Sequence, residues 1–237
     1  VDCAVGVVGH VDRAAQARKL KTRAGAACLN LDDGTLGCLG NHLAVLRRLA
    51  DTGADWLVVL EDDAVPCRGF ARQLDAALAV APAPVVGLYL GRLSPVPWQP
   101  ALAAATVRAE RVDASWLVGR YFAWTVGYAV RLERAAGLLA AAASDDRTAD
   151  HALHQAAGRT AFTWPSLVDH ADGPSLIEGH GAAGAGRVAW RHGTRPAWTR
   201  RQVVLTPLYP PSGPQEPQDR GGGETATAGP TVPHGTT

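Results

Sequence analysis

The chain contains no methionine among its 237 residues, and aromatic residues make up only 6%, so small aliphatic side chains must build most of its interior. The missing Met leaves no initiator residue, as expected of a chain processed or trimmed at its start. No apolar run approaches the roughly 18 residues that a membrane-spanning helix needs. Nor do the first residues, VDCAVGVVGHVDR, carry a basic flank ahead of an apolar stretch; they read as a strand rather than a secretion signal. Neither sign of charge is in excess: the net charge is +1, which predicts no strong global attraction to nucleic acid or membrane. The cysteines, Cys3, Cys28, Cys38 and Cys67, show neither a CxxC pair nor the Cys/His spacing of a zinc site. They are expected as buried or half-buried thiols in a reducing, cytoplasmic compartment.

What is present is an alternation of apolar runs and amphipathic stretches. VDCAVGVV reads as a buried strand, followed by a basic helix over Asp12–Arg23 and a short strand, AACLNL, closed by Asp32-Asp33-Gly34. Leu39, Leu43, Leu46 and Leu49 recur at helical spacing, which predicts a helix over 39–52. LVVL is uniformly apolar and suits a central strand covered on both faces. A helix from about Gly69, a strand at VVGLYLG, a Pro-rich loop over 94–103 and several β segments over 104–130 follow. Helices over Arg131–Ala143 and Ala149–Ala157 and a late strand in AFTWPSLVDH complete the order. The pattern predicts one α/β domain over residues 1–209, a mostly parallel central sheet with helices on both faces. From Pro210 the composition turns to Pro, Gly, Thr and charge, and residues 210–237 are expected to be a disordered tail.

Glu61-Asp62-Asp63 stands directly after the apolar run Leu57–Leu60. Ligands of parallel α/β sheets bind beyond the carboxyl ends of the strands. Side chains alternate along a strand, so Glu61 and Asp63 are expected on one side and Asp62 on the other. Two carboxylates on one side suit a hard divalent cation bridged by a diphosphate, which would stabilise a departing nucleoside diphosphate. The plain alternative is an acidic turn ahead of the next helix.

VVGHVDR, GCLGNHLAVLRRL, DWLVVLEDDAV, LYLG, GYAVRLERAAGLL and the later Asp150-His151 occur in an order that resembles one glycosyltransferase family. It is the family of bacterial lipooligosaccharide galactosyltransferases and collagen galactosyltransferases. The resemblance spans about residues 3–170 and is densest around 37–65. It implies a GT-A-like fold, a nucleoside-diphosphate sugar donor such as a UDP-sugar, Mn²⁺ or Mg²⁺, and inversion at the anomeric carbon. Asn41 stands where the family usually has Ser, and Asp150 is followed by His rather than Glu.

Further candidates each carry two readings. His10 and Arg13 end the first strand; the resemblance implies nucleotide contact, the plain reading a solvated helix start. Asp33 is either a turn residue or a contact to a uracil or ribose edge. Asp33-Gly34-Thr35-Leu36 also mimics the haloacid-dehalogenase phosphatase signature, but the nucleophile position is Leu31, so that chemistry is excluded. Gly37, Asn41 and His42 open a helix whose N-terminus favours anions; His42 either faces the diphosphate or packs against the Trp56 strand. Asp62 is expected to orient the ribose or a sugar hydroxyl. Asp150 is either a helix cap or the base that deprotonates the acceptor hydroxyl, with Asp113 a weaker rival. His170 ends the last strand, as a further metal ligand beside Glu61 and Asp63 or as a locally satisfied histidine. Gly179–Gly186 reads as a flexible lid or linker. Arg187, Arg191 and Arg195, interleaved with Trp190 and Trp198, either contact the donor diphosphate or an anionic acceptor, DNA included, or form a solvated basic face.

The expected activity is transfer of a hexose from a nucleoside-diphosphate sugar to an acceptor hydroxyl on a saccharide, a protein or a hydroxylated DNA base. The alternatives are a sugar-nucleotide nucleotidyltransferase, for which Gly6-Val-Val-Gly9 is a poor phosphate loop, and a degenerate sugar- or nucleic-acid-binding domain.

Overall fold

The computed structural model describes residues 1–93, 95–120, 123–143, 149–171 and 186–205. The sequence segments at 144–148 and 179–185 and the expected tail at 210–237 lie outside the described residues. Ten strands are present among the described residues: β1 Cys3–His10, β2 Cys28–Asp32, β3 Trp56–Glu61, β4 Ala64–Pro66, β5 Val85–Gly87, β6 Trp116–Gly119, β7 Gly127–Arg131, β8 Thr160–Thr163, β9 Val168–His170 and β10 Gln202–Val204. The helices are α1 Ala14–Ala24, α2 Gly37–Ala50, α3 Phe70–Leu78, α4 Gln99–Arg111, α5 Leu132–Ala143 and α6 Ala149–Ala157.

Eight strands form one sheet in the order β10-β6-β8-β5-β7-β3-β1-β2. The pairs β1–β2, β1–β3, β5–β8 and β6–β10 are parallel; β7 runs against both β3 and β5, and β6 against β8. β4 and β9 pair antiparallel in a separate ribbon beyond the end of β3. This is the expected α/β architecture, with a mostly parallel sheet covered on both faces.

β3 shows why its run carries no polar residue. Trp56, Val58 and Leu60 pack with α1 and α3, while Leu57 and Val59 pack with α2, α5 and α6. All five are fully buried, and burying each such side chain stabilises the fold by about 2 kcal/mol. α4 covers the same face further along the sheet, with Leu102, Ala105 and Ala109 against Leu117 and Phe162.

Residues 99–111 correct the sequence reading of loop and β segments there. Pro100 fits the first helical turn, where no backbone donor is required, and Leu102, Ala105 and Ala109 fall on one face at helical spacing. The β-branched pair Thr106-Val107 obscured that period. β6 lies within 104–130, as expected, and β7 begins there and ends at Arg131. The late strand is two pieces, β8 and β9, separated at Trp164-Pro165, a cis peptide.

The segment 189–201 is fastened rather than free. Gln73 on α3 donates to the carbonyl of Arg195 and accepts from its backbone N–H and from Trp198 Nε1. Trp116 Nε1 donates to the carbonyl of Thr199 at 2.7 Å.

α2 lies close to β1 because Gly6 has no side chain. A Cβ there would stand 2.5 Å from Val45 Cγ1 and 3.0 Å from Cys28 Sγ. Gly6→Ala should lower stability by about 1–3 kcal/mol. Adding Val45→Ala should recover part of that loss, a coupling of about 1 kcal/mol in denaturant unfolding. Strictly additive losses in the double variant would show that α2 does not press on β1 at this point.

Candidate functional site

The carboxyl ends of β1 and β3 lie side by side, with Val8 opposite Glu61 and His10 opposite Asp32. Three carboxylates emerge there, and each has a different set of partners. Strict alternation would put Glu61 with Asp63, but β3 stops at Glu61 and Asp62-Asp63 is a turn. The structure therefore corrects that pairing: Asp62 and Asp63 share a partner, and Glu61 turns toward α2.

Arg13, in the short 3₁₀ turn after β1, bridges the two aspartates. Its Nη1 donates to Asp62 Oδ1 at 3.1 Å and Asp63 Oδ2 at 3.0 Å. Burial opposes the guanidinium charge, yet the two carboxylates outweigh it and raise the Arg13 pKa. Asp62 also accepts the backbone N–H of His10 at 3.0 Å. Gly9 permits this approach, since a Cβ there would lie 3.2 Å from Asp62 Oδ2. Burial lifts the Asp62 carboxyl above the usual range despite these bonds. For Asp63, burial pushes the same way, but the hydrogen bond and charge of His170 and Arg13 prevail and the pKa falls.

His170, at the end of β9, places Nε2 3.4 Å from Asp63 Oδ2. The ribbon sets this distance: Ala64 pairs with His170, and Ala171 donates its N–H to the Asp63 carbonyl at 2.8 Å. Two buried atoms at this point have no hydrogen-bond partner, Asp63 Oδ1 and His170 Nδ1. Buried polar atoms are rarely left so, and an unpaired one points to an ion or ligand. The Tyr89 ring lies 6.3 Å from that of His170, and its hydroxyl donates to the carbonyl of Arg187 at 2.9 Å.

Glu61 belongs to a second group on the α2 side. Its Oε1 is 3.2 Å from His42 Nε2, and His42 Nδ1 is 3.2 Å from the Tyr128 hydroxyl. His42 is fully enclosed and also hydrogen-bonded to Cys38 one helical turn earlier. Burial opposes a charge on the imidazole, but Cys38 and Glu61 together outweigh it and push its pKa up to about 9. Burial, followed by the nearby Glu61 charge, raises the Tyr128 pKa. Cys38 itself is exposed, which corrects the expectation of a buried thiol; Cys28 and Cys67 are buried, Cys3 is half-buried, and all four are free. Burial raises the pKa of Cys3, Cys28 and Cys67.

Asn41 sits between the groups, donating to the Gly9 carbonyl at 3.0 Å and accepting from Asn30. It therefore locks α2 to β1 and β2. α2 begins at Gly37 with no side chain capping its first amides, while Asp32 accepts the N–H of Leu36 just before it. Asp33 is exposed and accepts the N–H of Thr35, and the Thr35 hydrogen bonds lower its pKa.

The other candidates lie elsewhere. Asp150 is exposed on the first turn of α6, its Oδ1 accepting the N–H of His151. α6 leads into β8, which is parallel to β5, so this turn is at the same end of the sheet as Glu61. Arg195 is a fastener and not a phosphate contact: it donates to Asp113 Oδ1 and to the carbonyls of Ala114 and Trp164. Asp113, with φ +49°, is thereby a structural turn. Arg191 pairs with Glu110 on the surface. Sequence reasoning missed Cys38, Tyr128 and Tyr89; only Cys38, four residues before His42, left a legible spacing.

Among the described residues no three His, Cys, Asp or Glu side chains converge to hold a metal ion. A phosphate-bridged Mg²⁺ or Mn²⁺ site does not require three, because one or two carboxylates plus substrate oxygens suffice. Glu61, Asp62 and Asp63 face Arg13, His42 and His170, so the cluster is close to charge balance when both imidazoles are protonated. Asp63 Oδ1 and His170 Nδ1 are the open donors. No helix among the described residues is long and apolar enough to cross a membrane.

The chain matches no protein-family model and no curated protein. Among solved structures it is similar to A197 from STIV, at TM-score 0.41 and 10% identity, over 70% of this chain and 85% of that one. It is also similar to mannose-1-phosphate geranyltransferase from Thermus thermophilus, at TM-score 0.36 and 15% identity, over 69% of this chain and 74% of that one. Likenesses this distant carry no functional argument.

Proposed function

We propose that the chain is a GT-A-like hexosyltransferase that moves a sugar from a nucleoside diphosphate to an acceptor hydroxyl. The observation that carries this reading is the buried oxygen of Asp63 that has no hydrogen-bond partner, in a cluster of three carboxylates. It stands at the carboxyl end of β3, beside the uncapped start of α2. The motif resemblance described above adds the substrate class.

Asp63, with His170 beside it, would hold Mg²⁺ or Mn²⁺, which neutralises the diphosphate as it departs. Arg13 holds Asp62 and Asp63 side by side in a half-buried setting and favours their charged forms. Asp62 is fixed by the His10 amide, and we assign it to the ribose or a sugar hydroxyl. The first amides of α2 offer the diphosphate a helix N-terminus, and His42 behind them adds a buried positive charge. Glu61 holds that imidazole in place. Asp150, exposed at the same end of the sheet, is our candidate for taking the acceptor proton. With Arg195 committed to structure and Arg191 to Glu110, a saccharide or protein acceptor is favoured over DNA.

A UDP-sugar at about a hundredfold its Kd should stabilise the protein by about 3 kcal/mol in Mn²⁺, and by much less in chelator. Asp63→Asn, which retains shape, should remove that difference and stop transfer of labelled hexose. Equal thermal shifts with and without chelator would sink the metal assignment.

The His42 pKa predicts a pH dependence of stability. Its folded value, about 9, lies above the ordinary 6.5. The stabilisation is complete below pH 6.5 and is lost as pH rises through 9. Between about pH 6 and about pH 10, wild type should therefore lose about 3 kcal/mol more than His42→Gln in denaturant unfolding. Parallel profiles for the two proteins would mean that His42 is neutral when folded.

A further inference from the structure

A basic cavity lies on the α1–α3 face, away from the α2 start. Its volume is about 490 Å³, and Arg23, Arg68 and Arg72 line it together with Pro66, Cys67 and Phe70. No acidic residue is in the lining. Asp75, the nearest acid along α3, is not part of the lining. Arg68 and Arg72 are exposed and make no ion pair among the described residues. Arg23 is aimed by a hydrogen bond from Nη2 to the Pro66 carbonyl at 2.9 Å. Three guanidinium groups around one concavity repel each other, and no acid in its wall offsets that repulsion.

Pro66, Cys67 and Phe70 are buried and make a firm floor, so the cavity wall does not depend on the arginine stems. α3 starts at this wall from Gly69, with no side-chain cap and no acid in its first turn. Its first amides therefore add donors to the same space. Guanidinium forks match the oxygens of phosphate in bidentate geometry, which a single ammonium cannot do.

We propose that this cavity is a second anion site, one that takes a phosphate or diphosphate group through Arg23, Arg68 and Arg72. The site is independent of the transferase reading, because it needs neither the metal nor the Glu61–Asp63 cluster. It selects a compact, highly charged head group: the volume suits a small phosphorylated molecule, and the lining is too short to track a polymer.

The test uses the full chain, inorganic pyrophosphate and excess chelator, so that metal-dependent binding at the carboxylates is silent. At constant ionic strength, pyrophosphate should raise the melting temperature and chloride should not. Arg68→Ala/Arg72→Ala should weaken pyrophosphate binding by at least about tenfold. Arg108→Ala/Arg111→Ala, which removes the same charge from the exposed face of α4, should leave it unchanged. No shift in wild type would overturn the proposal, and so would equal weakening in both double variants, which would mean general charge attraction. A single-stranded oligonucleotide that binds at the same salt while pyrophosphate does not would overturn the ligand class.

Discussion

Three carboxylates in a row at the mouth of a buried strand repel one another and lose hydration, and much of the architecture around them is compensation. Each is met by a group from a different part of the chain: Asp62 and Asp63 by Arg13, Asp63 also by His170, Glu61 by His42. Those partners come from the β1–α1 turn, β9 and α2. The cluster thus fixes the relative positions of elements that lie far apart in the chain. Removing one partner would leave a half-buried charge exposed to its neighbours, a larger loss than the hydrogen bond alone.

The backbone makes room for these contacts. Gly9 lets Asp62 reach the His10 amide, and Gly6 lets α2 settle on β1 so that His42 meets Glu61. Asn41 then seals the junction by bonding Gly9 and Asn30 at once. Compensation is incomplete at two unpaired buried atoms, Asp63 Oδ1 and His170 Nδ1. Polar atoms lose about 1–3 kcal/mol when buried unpaired. Both unpaired atoms lie at the carboxyl end of the central strand, on which the proposed function rests.

Much of this was legible from periodicity. The β3 run, the α2 leucines and the paired prolines after α3 gave the sheet's centre, and the triplet Glu61-Asp62-Asp63 marked the site. The failures share one physical origin. Local rules do not carry past the end of an element: alternation mispaired Glu61 with Asp63 because β3 ends between them. An Ala-rich helix with a β-branched pair, α4, gave a weak period until its packing against Leu117 and Phe162 was known. Arg195 looked like a ligand-binding arginine because its acceptors are carbonyls at Ala114 and Trp164, distant in sequence and invisible to any motif. His170 does stand 3.4 Å from Asp63, because the β4–β9 pairing sets the end of β9 against the turn after β3.

α1 joins the two charged regions of the molecule. Arg13 immediately precedes it and holds Asp62 and Asp63; Arg23, in its last turn, holds the Pro66 carbonyl. Pro66 closes β4, which begins one residue after Asp63. The chain from Asp63 to Pro66 is therefore held at both ends by arginines of the α1 region, Arg13 just before the helix and Arg23 in its last turn. An anion that drew the Arg23 guanidinium toward phosphate would weaken its bond to the Pro66 carbonyl. The carboxylate cluster and the basic cavity thus share one scaffold, the eleven-residue helix α1 between Arg13 and the end of the chain segment that Arg23 fastens, while each keeps its own set of charged groups.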